Sequence, residues 1–419
     1  MNVMSAEEAV RLIKNGDRIY IGTASSVAYG LLEALWDRRE ELDDVTLMGG
    51  LLVNPCDAIC EKDFNLLTYF MGPTERKRLR DDGFDYTSFH LSQTDIWVNE
   101  TARPDVAFFD VSPPDEKGYM SYGAGGVALG SFVRAAAKTI ILQINKNEPF
   151  VYGEKTLIHE SEADAIVSYD TRLPEAPESP HDDTIDAIAG YIHDRIPDGA
   201  CLQFGIGSIA NAVGFRLKDK NDLGAHTEIF TDSMMDLMKS GNLNNKHKSY
   251  LDGKAATGVA FGSKELYDYL DHNEDVYFLH FKSLNNPVNI SMNTNMISIN
   301  SAVSIDLTGQ VSSETVAGRQ YSGTGGQLDY VKGAQMSKGG KSFIAIQSQA
   351  GEHSRIVSSF PPGTVVTTPR SEVQYVVTEY GCVNMKPLTI RDRVRAMISL
   401  AHPDFRPQLK EDAKAAGIL

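Results

Sequence analysis

An internal repeat constrains the fold of this chain more than any single motif does. The decapeptide at 13–22, IKNGDRIYIG, recurs at 196–205 as IPDGACLQFG, with the two glycines at the same separation. Three further echoes follow in the same order: 115–121 with 306–312, 132–136 with 330–334, and 162–167 with 372–377. Because the order is kept and the offset drifts slowly, the sequence predicts two similarly folded halves.

Each half alternates β-branched runs with segments of helical spacing. Examples of the runs are 139–144, TIILQI, and 342–346, SFIAI. This alternation predicts an α/β fold with buried, mostly parallel strands. Near the N-terminus, Ser5 and Glu8 form the pattern of a helix capping box. The proline-rich and acidic stretch 172–183 predicts a linker, so we expect domains at 1–175 and 184–419.

Length and composition limit the classes of function. A chain of 419 residues exceeds the roughly 250–300 at which single cores stop growing. A net charge of −16 argues against a nucleic-acid partner. No apolar run approaches the roughly 18 residues of a membrane helix, and charged residues near the start argue against a signal peptide. Cysteines at 56, 60, 201 and 382 are too scattered for a disulfide framework or a zinc site, so we expect no metal and a cytoplasmic location.

The segment 226–232, HTEIFTD, is the strongest candidate for chemistry. It sets one carboxylate, Glu228, among apolar and hydroxylated residues of a predicted strand. A carboxylate in such surroundings is suited to nucleophilic catalysis. On a strand the side chains of His226 and Glu228 point to the same face. His226 therefore either adjusts the acidity of Glu228 or only packs against its neighbours. An exposed acid at the end of a strand is the alternative interpretation.

Two glycine-rich segments predict close approach of the backbone to a ligand. The first, 202–210 (LQFGIGSIA), reads as a strand, a tight turn and the start of a helix. The second, 322–329 (SGTGGQLD), has three glycines within four positions before a helical pattern. Backbone N–H groups in such loops can bind a phosphate or a developing oxyanion. Ordinary tight turns are the alternative for both segments.

One further polar residue, Asn285, precedes a turn. Its amide could donate a hydrogen bond to developing negative charge, although an Asn before a turn usually bonds its own backbone.

A dinucleotide-binding fold is the competing interpretation of these pieces. Gly205, Gly207 and Ala210 satisfy the looser glycine fingerprint, and Glu228 then becomes a ribose ligand. Against it, the equivalent turn of the first half, 22–26, lacks the fingerprint. The loop 322–326 also remains unexplained, and no residue set for hydride chemistry is apparent.

The motifs together resemble class I coenzyme A transferases of the acetyl-CoA hydrolase/transferase family, especially the 4-hydroxybutyrate and butyryl-CoA:acetate types. The resemblance covers essentially the whole chain, and it rests on 112–119, 205–209, 226–228, 309–311, 322–326 and 377–381. It implies two α/β CoA-transferase domains and a glutamyl-CoA thioester on Glu228. It also implies an oxyanion hole with the amide of Gly326 or Gly325, assisted by Asn285. The implied CoA contacts are Gly205, Ile206, Gly207, Ser208, Ile209, Ser322, Gly325 and Gly326.

The resemblance further implies a ping-pong transfer of CoA between a short-chain or hydroxy acyl-CoA and acetate or a similar acid. Acyl-CoA and CoA are then substrates, and no tightly bound cofactor is required. An acyl-CoA hydrolase on the same fold is the main alternative. We expect a homo-oligomer. We also expect the small residues Ala24 and Gly125 to leave room for the acyl group. The hydroxyls of Ser25 and Ser26 either bind the carboxylate or a substrate hydroxyl, or only cap a helix.

Overall fold

A computed structural model of the chain describes residues 3–177, 182–205 and 207–419. The chain forms two compact units. Unit 1 comprises Met1–Pro177, Ile229–Asp232 and Ala255–Leu284, and unit 2 comprises Glu178–Glu228, Ser233–Lys254 and Asn285–Leu419. Unit 1 thus includes two segments from the second half of the sequence. The predicted linker falls partly on 178–181, which lie outside the described residues, and the boundaries 1–175 and 184–419 stay a proposal.

The strands are short and most are buried. In chain order they are β1 Arg18–Thr23, β2 Ser26–Val27, β3 Thr46–Gly50, β4 Asn65–Thr68, β5 Phe84–Tyr86, β6 Val106–Val111, β7 Tyr119–Ser121, β8 Thr139–Ile144, β9 Tyr152–Gly153, β10 Leu157–His159, β11 Ala165–Ser168, β12 Cys201–Phe204, β13 Gly224–Phe230, β14 Ala255–Ala260, β15 Val276–Phe278, β16 Met296–Ser301, β17 Ser304–Asp306, β18 Val311–Ser312, β19 Thr315–Val316, β20 Arg319–Gln320, β21 Lys341–Ala345, β22 Gln349–Ala350, β23 His353–Ser354, β24 Ile356–Val357, β25 Tyr375–Thr378 and β26 Gly381–Asn384.

The α-helices alternate with these strands. They are α1 Ala6–Ala9, α2 Tyr29–Asp37, α3 Asp57–Cys60, α4 Thr94–Ile96, α5 Gly123–Ala136, α6 Asp183–His193, α7 Ser208–Arg216, α8 Asp232–Lys239, α9 Lys264–Leu270, α10 Phe281–Leu284, α11 Pro287–Ser291, α12 Gln327–Met336, α13 Ile390–Leu400 and α14 Arg406–Ala415.

Seven strands of the main sheet of unit 1 are parallel, in the order β11-β8-β6-β1-β3-β4-β5, and the short strand β2 pairs antiparallel with β1. The chain starts in the middle at β1, moves outward through β3, β4 and β5, and then returns to the other side of β1 with β6. Helix α2 packs its apolar face, including Leu31, Leu32 and Leu35, into the core cluster that also holds Ile19 and Phe108. Burial of strands on both faces explains their continuous apolar runs.

Unit 2 repeats this order with its own strands. Its sheet runs β26-β25-β21-β16-β12-β13, parallel except for the antiparallel edge strand β26. The central strands β1 and β12 carry the two copies of the repeated decapeptide, and β11 and β25 carry the last pair of echoes. Five strands therefore have equivalent places in both units, which confirms the predicted fold class of two similar, mostly parallel α/β halves.

Of two local features predicted from the sequence, one is confirmed and the other is wrong. Ser5 and Glu8 form the capping box reciprocally, with distances of 3.2 and 3.1 Å, although the helix α1 that they cap has only four residues. The expectation of open space at Gly125 is wrong. A Cβ there would meet the carbonyl of Thr23, and the Gly125 N–H donates to Oγ of Ser26 at 2.7 Å. The hydroxyl of Ser25 donates to the carbonyl of Ala260.

Candidate active site

Glu228 lies near the end of β13, a strand in which side chains alternate between the two faces. His226 shares its face and is fully buried, whereas Glu228 is half-buried. The position of the carboxylate follows from the strand, because β13 pairs with the central strand β12 of unit 2. The carboxyl ends of parallel strands are where α/β folds hold their ligands.

Two donors converge on the Glu228 carboxylate. Nδ2 of Asn285 donates to Oε1 at 2.5 Å, and the backbone N–H of Gly326 also donates to this carboxylate. An Asn before a turn usually bonds its own backbone, whereas the side chain of Asn285 contacts Glu228. Its neighbour Asn286 makes the usual backbone bond instead, since Oδ1 of Asn286 accepts from the N–H of Val288 and caps helix α11.

A glycine is required at position 326. It is the N-cap of α12, and a Cβ there would fall on Oε1 of Glu228 and Nδ2 of Asn285. The preceding Gly325 has φ of +61°, a left-handed backbone that glycine adopts without strain. The loop 322–326 is therefore more than a tight turn, because it places a backbone N–H group against a carboxylate.

Burial is the main cause that raises the pKa of Glu228, to about 7. The hydrogen bonds from Asn285 and Gly326 lower it, and the negative charge of nearby Asp329 raises it. Asp329 lies in the first turn of α12 and was not singled out from the sequence. The carboxylate is thus weakly solvated and is held near the protonation midpoint at neutral pH, which are properties expected of a functional acid.

A buried polar layer lies beside this carboxylate in unit 2. Nδ2 of Asn293 donates to Nδ1 of His226 at 3.2 Å, which assigns the proton of a neutral imidazole to Nε2. The rings of His226 and Tyr330 meet edge to face at 6.1 Å. Burial and the charge of Glu228 both raise the pKa of Tyr330 well above its ordinary value, so its hydroxyl stays neutral. His226 therefore packs as a neutral side chain on the face that Glu228 shares.

The predicted CoA turn follows β12. Gly205 is fixed by its N–H bond to the carbonyl of Ile299 at 2.8 Å, and Gly207, with φ of +129°, precedes helix α7. Ser208 and Ile209 form the first turn of that helix, and Ile206 lies outside the described residues. Beneath the turn, the amides of Gln203 and Asn300 bond reciprocally at 3.2 and 3.1 Å. The helix start and the glycine turn are suited to anion binding.

Within the described ranges 3–177, 182–205 and 207–419, no group of three or more His, Cys, Asp or Glu side chains is arranged to hold a metal ion. In the same ranges no helix is long and apolar enough to cross a membrane.

Comparison with known proteins gives the class. Residues 1–175 match the acetyl-CoA hydrolase/transferase N-terminal domain, and residues 262–413 match the C-terminal domain of that family. The chain belongs to the acetyl-CoA hydrolase/transferase family.

Relatives align along the full length. The chain is 38% identical to a 4-hydroxybutyrate coenzyme A transferase of Clostridium kluyveri, over 98% of this chain and 97% of the relative. It is 37% identical to a butyryl-CoA:acetate CoA-transferase of Anaerostipes caccae, over 99% and 96% respectively. Among solved structures, RipA from Yersinia pestis superposes with a TM-score of 0.93 and 35% identity, covering 100% of this chain and 98% of RipA.

Proposed function

We propose that this protein is an acyl-CoA:carboxylate CoA-transferase. It moves CoA between a short-chain or hydroxy acyl-CoA and acetate or a similar acid, through a glutamyl-CoA thioester on Glu228. The observation that carries the proposal is the contact of a weakly solvated carboxylate with two N–H donors, Asn285 and Gly326. Relatives that align over nearly the whole chain are named for CoA transfer with butyrate, acetate or 4-hydroxybutyrate, which supports the substrate class.

The proposed reaction begins with the ionised Glu228 carboxylate. One oxygen attacks the acyl-CoA carbonyl carbon, the carbon–sulfur bond breaks, and a mixed anhydride forms with release of CoA thiolate. The thiolate then attacks the Glu228 carboxyl carbon and expels the donor acid as its carboxylate. An acceptor carboxylate reverses both steps and leaves as the new acyl-CoA. No net proton transfer is required, and the kinetics are ping-pong.

The site residues suit these steps. A carboxylate is a poor nucleophile in water, so partial desolvation of Glu228 increases its reactivity. Negative charge develops on a carbonyl oxygen in each addition step, and Nδ2 of Asn285 and the N–H of Gly326 are already oriented toward this region. One such donor contributes about 2.7–4 kcal/mol in comparable acyl-transfer sites. The proposed CoA contacts are Gly205, Ile206, Gly207, Ser208, Ile209, Ser322, Gly325 and Gly326.

The direct test is chemical trapping. The protein is incubated with butyryl-CoA or acetyl-CoA without an acceptor acid, reduced with borohydride and examined by intact mass and peptide mapping. We expect inactivation and a reduced side chain at Glu228 only, with no labelling of the Glu228→Gln variant. An unlabelled, fully active wild-type protein would reject the thioester mechanism. A melting shift with NAD but none with CoA would favour a dinucleotide enzyme.

The alternative function is an acyl-CoA hydrolase, because the family name covers hydrolases as well as transferases. Transfer and hydrolysis share the glutamyl-CoA thioester and differ in whether a carboxylate or water attacks it. CoA release from butyryl-CoA should depend on added acetate, and release in water as fast as transfer would make the protein a hydrolase. We also propose that the protein is a cytoplasmic homo-oligomer without a tightly bound cofactor. Sedimentation checks the oligomeric state, and native mass measurement checks for a bound cofactor.

A further inference from the structure

Glu314 is a buried carboxylate that the proposed reaction does not use. It lies between β18 and β19 with 3% of its surface exposed. A buried carboxylate is costly unless it is hydrogen-bonded. Oε2 of Glu314 accepts a hydrogen bond from the hydroxyl of Thr324 at 3.3 Å. The carbonyl of Glu314 accepts from the N–H groups of Tyr321 and Ser322, at 2.7 and 3.1 Å.

These three bonds hold positions 321, 322 and 324 of one loop. The loop 321–326 leaves the hairpin β19-β20 and ends at Gly326, whose N–H contacts Glu228. Nε2 of Gln320 donates to the carbonyl of Ser322 at 2.6 Å and adds a further bond at the start of the loop. At its end the carbonyl of Gly326 accepts from the N–H of Tyr330, which is the first bond of α12. Between these two fixed ends the Glu314 carboxylate bonds Thr324, two residues before Gly326.

The contribution of the Glu314 side chain is separable from that of its backbone. Any residue at position 314 can accept the N–H bonds of Tyr321 and Ser322, since its carbonyl is the acceptor. The bond with Thr324, in contrast, is made by the Glu314 side chain and is lost when that side chain is removed. A loop that contains Gly323, Gly325 and Gly326 has high backbone freedom, so it needs a side-chain contact to keep one conformation. The bond between Glu314 and Thr324 supplies that contact.

We infer that Glu314 is a positioning residue, which acts through Thr324 to hold the Gly326 N–H against the reacting carboxylate of Glu228. The inference rests on the proposed function. Misplacing a catalytic donor by about 1 Å lowers a rate by as much as a hundredfold, although binding of remote parts of the substrate is kept. Loss of the Glu314 contact should therefore lower kcat for thioester formation more than it changes KM for acyl-CoA.

The test uses three variants and one matched control in the full-length protein. Glu314→Ala and Thr324→Val each remove one side of the contact, and Thr324→Ser keeps the hydroxyl. Thr367→Val is the control, because Thr367 is also buried and its hydroxyl accepts the N–H of Ser313, next to Glu314. The rate of glutamyl-CoA formation is measured by quenched-flow mass analysis at saturating and subsaturating butyryl-CoA, together with the melting temperature.

We expect Glu314→Ala and Thr324→Val to lower kcat about tenfold to a hundredfold, with KM changed less than about threefold. Thr324→Ser should restore most of the rate, and Thr367→Val should lower the melting temperature without this loss. The inference is overturned by wild-type kcat in both variants, by an effect on KM alone, or by a loss in Thr324→Val that Glu314→Ala does not share. Absence of a thioester in the wild-type protein would instead reject the proposed function, and this role with it.

Discussion

Nδ2 of Asn285 lies 2.5 Å from Oε1 of Glu228, and the amide that makes this contact is fully buried. Oδ1 of the same amide has no hydrogen-bond partner among the residues that the structure describes. A buried amide oxygen without a partner is costly, so the orientation of Asn285 is maintained at some expense in stability. Its Nδ2 is thereby committed to the carboxylate before any substrate is bound.

Replacing Asn285 should therefore affect rate more than folding. We expect Asn285→Ala to lower kcat by about 10²–10³, because one preorganised donor to developing charge is lost. The matched control is Asn286→Ala, which removes the cap of α11 and should cost about 0.5–2 kcal/mol of stability with little change in kcat. Steady-state kinetics and denaturant melts separate the two effects. Equal losses of kcat in both variants would assign Asn285 a structural role only.

Gly326→Ala tests the close approach of the backbone to the carboxylate. Its Cβ would occupy the positions of Oε1 of Glu228 and Nδ2 of Asn285, so we expect nearly complete loss of turnover. Gly190→Ala is the control: it lies within α6, and a Cβ there meets nothing within 4 Å. That change should stabilise the fold by about 0.4–1 kcal/mol and leave turnover intact. An active Gly326→Ala variant would mean that this glycine does not contact Glu228 during catalysis.

The pH dependence of the reaction should follow Glu228. Burial raises its pKa to about 7, and only the ionised carboxylate attacks, so kcat/KM for acyl-CoA should rise between about pH 6 and 8. In Asn285→Ala the midpoint should move upward, because the lost hydrogen bond lowers the pKa in the wild-type protein. Initial rates across this range, with an acceptor of much lower pKa, provide the measurement. A flat profile above pH 5 would contradict the assignment.

The same pKa has a consequence for stability with the opposite trend. The folded-state pKa lies above the unfolded value of about 4.3, so ionisation of Glu228 destabilises the fold as the pH rises from 4.3 through 7. We expect Glu228→Gln to be more stable than the wild-type protein at pH 8, by on the order of 1–3 kcal/mol, and nearly equal to it at pH 4.5. Denaturant melts at both pH values test this, and a gain that is independent of pH would show that the charge of Glu228 is not its cause.

Much of the fold was predictable because the chain contains two copies of one pattern. The glycine spacing of the repeat placed β1 and β12 at equivalent positions, and apolar runs located β8 and β21 to within a residue or two. What the pattern did not provide is the assignment of 229–232 and 255–284 to unit 1. That grouping depends on interactions between distant parts of the chain, such as the bond from the Ser25 hydroxyl to the carbonyl of Ala260, which leave no periodic signal.

The site was predictable to the extent that its residues have special backbone needs or unusual neighbours. Glycines before α12 and an acid within an apolar strand are both visible in one sequence. Asp329 and Glu314 were not distinguished, because an acid in the first turn of a helix or beside a hairpin is common on surfaces. Only the three-dimensional structure shows that both are buried near the glycine loop. The expectation of open space at Gly125 was wrong because a glycine in a sequence can also indicate tight packing.

A last prediction concerns a buried acid pair in unit 1. Asp110 accepts hydrogen bonds from Nε2 of Gln143 and Nδ2 of Asn145, at 2.7 and 2.9 Å, and it also contacts the carboxyl group of Glu148. Glu148 is 2% exposed and accepts from the N–H of Ala124 at the start of α5. Because burial and the charge of Asp110 both oppose its ionisation, the pKa of Glu148 is raised well above the ordinary value. Glu148 is therefore the acid of the pair that stays neutral.

The sign of the resulting pH effect follows from the raised pKa. Below about pH 4.3 Glu148 is protonated in both the folded and unfolded states, and as the pH rises only the unfolded state gains stability by ionising. The wild-type fold should thus lose stability toward alkaline pH. Glu148→Gln removes this ionisable group, so the variant should lose less stability between pH 6 and 9. Asp110→Asn is the contrasting variant. Its side-chain NH2 group would face the N–H donors of Gln143 and Asn145, so we expect it to destabilise unit 1 at every pH. Melting curves of the three proteins across this range test the pair, and parallel pH profiles for wild type and Glu148→Gln would show that Glu148 does not hold the proton.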